Sequence, residues 1–269
     1  MNTKDYKGIL FFDYDGTLVD GTIGIHEMSE TTIQALKKAQ ERGYLTVLSS
    51  GRNVPMVRHV AELFDGVIST NGGYANIKGT EYCSIKLPKE YSKGIISFIE
   101  ERTDRMFCTI ETQEVTRGLQ MGTMMSERHI NHFGLDRDIF TPWEGQMEEE
   151  YYKITSMYDD KADYEELNRL FGDKVQIINH PTENYCEMMA KGCTKGVAVS
   201  EIIKKCDIPK EHMYAFGDSD NDYTMLEAVG HAIVMGKHSP SLEQIAEFIT
   251  KPVEEEGIAF AMKHYGIIE

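Results

Sequence analysis

Short, continuous apolar runs recur along the first part of the chain, and each run ends in a polar or glycine-rich loop. The runs cover residues 8–12, 44–48 and 66–69, with enough chain between them for one helix each. Strands that are buried on both faces of a parallel sheet have this uninterrupted apolar pattern. The first part of the chain is therefore predicted to contain a mainly parallel sheet.

The segments between these runs carry the spacing and the end signals of helices. Ser29 is a suitable N-cap for the first helix, and Gly43 is a stop signal for it. The core-facing positions of this helix are Ile33, Leu36 and Ala39. A second helix is expected with Pro55 near its first turn. This repeated strand–loop–helix order predicts an α/β fold with a doubly wound, Rossmann-like sheet and functional residues at the carboxyl ends of its strands.

The pattern changes between residues 82 and 187, where strands with many polar residues alternate with helices. Strands are predicted at 107–112, 115–119, 152–158 and 175–179, and helices at 91–102 and 163–171. Polar residues within strands are typical of a sheet with one solvated face, so this segment is predicted to be an α+β module.

Past residue 191 the α/β pattern returns. A helix is predicted at 197–205, strands at 212–216 and 232–235, and further helices toward the end of the chain. We therefore expect a core domain formed by residues 1–81 and 188–269, and an α+β domain of residues 82–187 inserted into it.

Composition narrows the class of protein. Apolar residues make up 41% of the 269 residues, as in a globular protein, and no apolar run is long enough to span a membrane. The polar N-terminal residues do not resemble a leader segment, so a cytoplasmic protein without a membrane partner is expected. The formal net charge of −16 argues against a nucleic-acid partner, because binding to a phosphate backbone requires clustered cations.

The five cysteines are odd in number, widely separated and free of Cys-x-x-Cys pairs. They are Cys83, Cys108, Cys186, Cys193 and Cys206. This distribution indicates neither a zinc site nor a disulfide framework. We expect buried or half-buried free thiols.

Acidic residues follow two of the predicted strands. Asp13 and Asp15 come directly after the first apolar run, and Asp218, Asp220 and Asp222 follow the strand at 212–216. Residues i and i+2 of an extended segment point to the same side, so the first two carboxylates are expected to lie together. Such groups bind hard cations, attack phosphorus or transfer protons. Taken alone, they are also compatible with an Asx-type turn and with acidic residues at a helix N-terminus.

Two further strand or helix ends carry donors for an anionic group. Ser50 and Gly51 follow the second apolar run and offer a hydroxyl group and backbone N–H groups. Lys195 stands at the start of the helix predicted at 197–205. Each feature alone is more often an ordinary turn or a solvated surface lysine.

The four motifs together, in this order, resemble the haloacid dehalogenase superfamily over essentially the whole chain. They are Asp-x-Asp-Gly-Thr from Asp13, Ser-Gly-Arg from Ser50, Lys-Gly from Lys195 and Gly-Asp-x-x-Asn-Asp from Gly217. The turn Asn71-Gly72-Gly73 looks like that of the Cof-type subfamily. The 144 residues between Ser50 and Lys195 are far more than one βα unit needs. A long insertion at this place, here residues 82–187, corresponds in this superfamily to a C2 (type IIB) cap that determines substrate specificity.

The resemblance implies a phosphatase that forms an aspartyl-phosphate. Asp13 would be the nucleophile, and Asp15 would protonate the leaving alcohol and then activate water. Mg²⁺ would be held by Asp13, the Asp15 backbone carbonyl and Asp218, with Asp222 behind them. The phosphoryl oxygens would be contacted by Ser50, Gly51, Lys195 and Asn221.

Several alternatives remain at this point. A phosphomutase or phosphotransferase of the same superfamily would pass the phosphoryl group to a second hydroxyl, and a phosphosugar-binding regulator would turn over little.

Lys237 stands where the subfamily often has asparagine, and it either alters the site entrance or is an ordinary solvated lysine. The expected partner is a small phosphate ester, with a sugar phosphate as the family expectation, and the chain is expected to be a monomer or homodimer. The polar cap candidates for that ester, each equally an ordinary surface or turn residue, are Arg117, His180, Glu183 and Asn184.

Overall fold

The computed structural model describes residues 6–269, so residues 1–5 of the polar N-terminal stretch lie outside the described residues. The chain forms two compact units. The core unit consists of the described residues up to Gly51 with Arg58–Cys83 and Thr194–Glu269, and the inserted unit consists of Arg52–Val57 and Ser84–Cys193. The assignment of catalytic and cap roles to these units, with limits at 82 and 187, stays a prediction.

The described residues contain fourteen strands and eight α-helices. The strands are β1 (Gly8–Asp13), β2 (Tyr44–Ser49), β3 (Gly66–Ser69), β4 (Tyr74–Ile77), β5 (Thr80–Ser84), β6 (Met106–Glu111), β7 (Thr116–Gly118), β8 (Phe140–Pro142), β9 (Lys153–Tyr158), β10 (Gln176–His180), β11 (Tyr185–Met189), β12 (Met213–Gly217), β13 (His231–Val234) and β14 (Phe248–Ile249). The helices are α1 (Glu30–Glu41), α2 (Val54–Ala61), α3 (Lys89–Glu100), α4 (Met124–Phe133), α5 (Lys161–Phe171), α6 (Lys195–Lys205), α7 (Tyr223–Ala228) and α8 (Gly257–His264).

The core unit is built on a sheet with the order β14-β13-β12-β1-β2-β3-β4-β5. The six strands from β14 to β3 are parallel, and β4 pairs antiparallel with β3. The predicted mainly parallel, Rossmann-like α/β sheet is therefore confirmed. Every residue of the central strand β1 is buried, which explains its uninterrupted apolar sequence.

Strand register brings the predicted motifs to one edge of this sheet. Asp13 at the end of β1 pairs with Ser49 at the end of β2, and Phe12 pairs with Phe216 in β12. Because parallel strands end at the same edge, the loops that follow β1, β2 and β12 start side by side. These loops carry the predicted site residues other than Asp13, which ends β1, and Lys195, which begins α6.

The first helix of the core unit begins where the sequence predicts. Ser29 is the N-cap of α1, and its side-chain oxygen accepts a hydrogen bond from the Thr32 N–H at 3.1 Å. Its hydroxyl also donates to Glu256 Oε2 at 2.7 Å. The cap therefore ties the start of α1 to the residue that precedes α8.

We expect Ser29→Ala to lower the free energy of unfolding by about 1–2 kcal/mol, because a helix N–H loses its cap and Glu256 loses a donor. Urea denaturation followed by circular dichroism measures this change. Thr31→Ala, an exposed position of the same helix, is the matched control and should shift stability by less than about 0.5 kcal/mol. Equal effects of the two substitutions would contradict the capping role.

The inserted unit contains a six-stranded sheet with the order β10-β11-β9-β6-β7-β8. Its pairings are antiparallel except for the parallel pair β7–β8. One face packs on α3 and α5 through an apolar cluster that includes Ile95, Ile99, Ile154 and Leu167. The α+β module is thus present, and β8, β11 and α4 are elements that the sequence pattern did not predict.

The other face of this sheet is polar, but much of it is buried. Lys153 lies 2.7 Å from Glu187 Oε1 and 3.6 Å from Glu111 Oε2. The segment Arg52–Val57, predicted in the first domain, groups with this unit because the Asn53 amide donates to Thr116 Oγ1 at 2.8 Å and to the Thr112 carbonyl at 3.0 Å.

His129 on α4 is a buried imidazole of the inserted unit. It is 1% exposed and lies between the rings of Phe107 and Phe133, at 5.2 and 4.7 Å. Within the described part of the chain neither ring nitrogen has a hydrogen-bond partner. Burial, with the charges of Lys153 and His132, lowers its pKa to about 3.

This depressed pKa predicts acid sensitivity of the inserted unit. Below about pH 6.5 the unfolded chain protonates His129 and the folded chain does not, so stability falls by up to about 1.4 kcal/mol per pH unit down to the folded pKa. In His129→Leu we expect a correspondingly smaller loss of stability between pH 7 and pH 5. Trp143, the single tryptophan, lies in this unit and reports its urea unfolding by fluorescence. Identical pH slopes for the two proteins would contradict this account.

The remaining general expectations concern thiols and membranes. All five cysteines are free, four of them buried and Cys206 half-buried, which confirms the expectation of unpaired thiols. Among residues 6–269, no helix combines the length and apolar character that crossing a bilayer requires.

Candidate active site

A buried ion pair lies at the carboxyl edge of the core sheet. Asp13, the last residue of β1, is 4% exposed, and Lys195, the first residue of α6, is 1% exposed. The Lys195 ammonium donates to Asp13 Oδ1 and, at 2.6 Å, to Asp222 Oδ1. Lys195 is therefore a fully buried cation between two carboxylates rather than a surface lysine.

The turn after β12 supplies two further carboxylates. Asp222 Oδ2 accepts the backbone N–H groups of Asp218 and Ser219 at 3.0 and 3.1 Å, while its Oδ1 accepts from Lys195. Asp218 Oδ1 accepts from the Thr17 hydroxyl at 2.9 Å. Asp222 thus fixes the turn that presents Asp218, and both of its own oxygens accept hydrogen bonds.

Asp13, Asp218 and Asp222 form a group with one oxygen of each within 4.8 Å of the others. Gly16 lies against this group with φ +88°, and a Cβ there would stand 2.2 Å from Asp218 Oδ2. Only glycine accommodates both the left-handed backbone and the close carboxylate. An all-oxygen ligand set of this kind suits a hard divalent cation such as Mg²⁺.

The protonation equilibria reflect the crowding of charge. Burial, and then the neighbouring Asp222, raise the pKa of Asp13 well above its usual value, although Lys195 opposes this shift. Burial and Asp222 also raise the pKa of Asp218 to about 7. Burial alone would lower the pKa of Lys195, but Asp13 and Asp222 raise it above the ordinary lysine value. A bound cation would offset this excess of buried negative charge.

The other predicted residues lie around this group in different environments. Ser50 is buried, and its N–H donates to the Ile68 carbonyl at 2.8 Å, with Gly51 directly after it. The exposed Asn221 places Oδ1 at 3.4 Å from the Lys195 ammonium. Ser50, Gly51 and Asn221 thus belong to loops at the same edge of the sheet.

Asp15 lies in a different environment from Asp13. Its side chain is exposed and is not part of the group of three carboxylates among the described residues. The physical reason is that β1 ends at Asp13 and a turn follows, in which the Gly16 N–H donates to the Val19 carbonyl at 2.7 Å. The Asp13 residue is therefore buried at the end of β1, whereas Asp15 is exposed in the turn.

Comparison with known proteins identifies the family. The sequence model of the haloacid dehalogenase-like hydrolases matches residues 10–262. The chain belongs to this hydrolase family. The match confirms the resemblance inferred from the four motifs.

Relatives of this hydrolase cover nearly its whole length. It is 27% identical to the putative phosphatase YkrA of Bacillus subtilis, over 97% of this chain and 98% of that protein. It is 25% identical to the 5-amino-6-(5-phospho-D-ribitylamino)uracil phosphatase YcsE of Bacillus subtilis, over 96% and 95%. Among solved structures, the subclass IIB sugar phosphatase BT4131 is similar with a TM-score of 0.79 and 27% identity, over 97% of this chain and 100% of that one. The predicted Cof-type, subclass IIB architecture of the hydrolase is therefore confirmed.

The structure adds one residue to those singled out from the sequence and shows the contacts of two that were left open. Thr17, the last residue of the first motif, is buried, and its hydroxyl donates to Asp218. Lys237 lies 2.6 Å from Glu254 and 3.8 Å from Asp20, so it is an exposed lysine in an ion pair. Arg117, one of the four polar candidates named for the inserted unit, pairs with Glu149 at 2.8 Å.

Proposed function

We propose that this hydrolase is a Mg²⁺-dependent phosphatase of small phosphate monoesters that uses Asp13 as a covalent nucleophile. The observation that carries the proposal is the buried Asp13 carboxylate at the end of β1, held by the Lys195 ammonium beside Asp218 and Asp222. A carboxylate fixed in this way needs little reorganisation to attack phosphorus.

The chemistry divides between two carboxylates. Asp13 forms the new bond to phosphorus while the bond to the ester oxygen breaks, giving an aspartyl-phosphate. Asp15 gives its proton to the departing alkoxide and then takes a proton from the water that cleaves the intermediate. The exposure of Asp15 supports this role, because its carboxyl group must meet both the leaving group and water.

The cation-binding role belongs to the acidic group. Asp13 and Asp218 would bind Mg²⁺ with the Asp15 backbone carbonyl, and Asp222 would support them through its hydrogen bonds to the turn and to Lys195. When bound, the ion would neutralise charge on the phosphoryl group. Ser50, Gly51, Lys195 and Asn221 would contact the phosphoryl oxygens by donating hydrogen bonds.

The substrate class is proposed to be phosphorylated polyhydroxy compounds, with sugar phosphates first. The names of two relatives support this class, since one is a sugar phosphatase and the other a phosphatase of a phosphoribityl compound. The inserted unit is proposed to be the cap that selects the leaving group. A cytoplasmic location, a monomeric or homodimeric state and the lack of nucleic-acid and membrane partners stay predictions.

The proposal is tested by phosphate release from para-nitrophenyl phosphate and from a panel of sugar phosphates, with Mg²⁺ and with a chelator. We expect turnover that requires Mg²⁺ and kcat/KM values that separate the panel. If no ester releases phosphate in a metal-dependent way while phosphosugars still bind, the protein is a phosphosugar-binding regulator and not a phosphatase. If the phosphoryl group passes to an added sugar hydroxyl in preference to water, the protein is a phosphotransferase.

A further inference from the structure

The turn after β3 has an unusual backbone. Thr70, Asn71 and Gly72 all have positive φ angles, of 51°, 54° and 92°, and all three are buried. Glycine and asparagine tolerate this region, whereas a β-branched threonine rarely enters it. Such a conformation persists where its surroundings fix it, and it occurs preferentially at functional sites.

Two neighbouring segments fix this turn. The Asn71 N–H donates to the Ser50 carbonyl at 3.1 Å, and Asn71 Oδ1 would lie only 3.0 Å from a Cβ on Gly51. A Cβ on Gly72 would lie 2.1 Å from the carbonyl oxygen of Thr194, the residue before Lys195. The turn is therefore wedged between the loop after β2 and the start of α6.

The Asn71 side chain determines how the amide of Asn221 is oriented. Asn71 Oδ1 accepts from Asn221 Nδ2 at 3.2 Å, and Asn221 Oδ1 then faces the Lys195 ammonium at 3.4 Å and accepts from the Ser219 hydroxyl at 2.8 Å. A flipped amide would direct its NH₂ group at the ammonium and its oxygen at the oxygen of Asn71. Both contacts would be repulsive, so the acceptor on Asn71 selects one orientation.

We propose that Asn71 is a positioning residue of the phosphoryl site, acting through Asn221. This inference rests on the proposed function, in which Asn221 contacts phosphoryl oxygens. The left-handed backbone presents the Asn71 carboxamide oxygen to Asn221, and that contact holds the Asn221 amide beside Lys195.

The decisive variant is Asn71→Gly, because glycine keeps the left-handed backbone and removes the carboxamide whose oxygen accepts from Asn221. We expect KM for para-nitrophenyl phosphate and the inhibition constant of inorganic phosphate to rise by about three- to tenfold, with a smaller change in kcat. Gln120→Gly, at an exposed position of the inserted unit with φ +54°, is the matched backbone control and should leave both constants unchanged.

A double-mutant cycle tests the route through Asn221. In an Asn221→Ala background, Asn71→Gly should add less than about twofold to either constant. Unchanged constants in Asn71→Gly, or its full effect in the Asn221→Ala background, would overturn the inference. Wild-type turnover is measured in the same series. If the proposed function is wrong, the wild-type protein itself shows no turnover; if only the inference about Asn71 is wrong, the wild-type protein turns over and the Asn71→Gly constants stay unchanged.

Discussion

Asp13→Asn is expected to lower kcat for phosphate-ester hydrolysis by at least about 10³-fold while the chain remains folded. An amide of the same shape cannot attack phosphorus, so the covalent route is lost. The fold should persist because Lys195 keeps its 2.6 Å contact with Asp222. The substitution also removes one buried carboxylate whose pKa is already raised by burial and by Asp222.

Rates are measured by phosphate release at saturating ester, and folding by circular dichroism. Acid-quenched wild-type protein should carry a phosphoryl group on Asp13 by mass spectrometry, and the variant protein should carry none at that position. Asp136→Asn, an exposed residue of the inserted unit, is the matched control and should retain wild-type turnover. Normal activity of the Asp13 variant would eliminate the covalent mechanism.

The arrangement of the site was predictable where it depends on strand ends. Asp13, Ser50 and Asp218 each follow a buried apolar run, and parallel strands bring their ends to one edge. That reasoning needs only the period of hydrophobicity and the handed, parallel connections of α/β folds. It therefore located these three residues without any knowledge of side-chain contacts.

The burial of Lys195 was not predictable from its neighbours in sequence. Thr-Lys-Gly at the start of a helix is typical of a solvated position, and Thr194 does cap α6 by accepting from the Val197 N–H at 3.2 Å. The lysine is buried because Gly196 allows a close approach to the backbone of α7, where a Cβ would stand 2.3 Å from the Thr224 carbonyl oxygen. Contacts between segments so far apart in the chain leave no local signal.

The same limit applies to the inserted unit and to Asn71. Strand β11 carries the acidic Glu187 on its polar face, where Lys153 of β9 lies 2.7 Å from its carboxylate. Asn71-Gly72-Gly73 does signal a turn, but the Asn71 side chain accepts a hydrogen bond from Asn221, 150 positions away. The local sequence pattern predicts the turn, whereas the role of its side chain depends on contacts with distant segments.

Lys195→Met is expected to be the most destabilising single change in the site, at about 3–5 kcal/mol, because it leaves Asp13 and Asp222 buried without their cation. Methionine has a similar length, so lost volume contributes little. The measurement is urea denaturation in the presence of a chelator, which removes any stabilisation by bound metal. Lys204→Met on the same helix, whose exposed ammonium pairs with Glu201 at 2.6 Å, should change stability by less than about 0.5 kcal/mol.

Lys195→Met combined with Asp222→Asn separates the charge effect from packing. The asparagine oxygen can still accept the N–H groups of Asp218 and Ser219. Because the amide is neutral, the substitution also removes the negative charge that Lys195 no longer neutralises. The double variant should therefore be more stable than Lys195→Met alone. We expect turnover to stay lost, because the ammonium that holds Asp13, and that is proposed to bind the phosphoryl oxygens, is absent. Destabilisation equal to the sum of the two single changes would show that Lys195 stabilises the core unit through packing rather than through its charge.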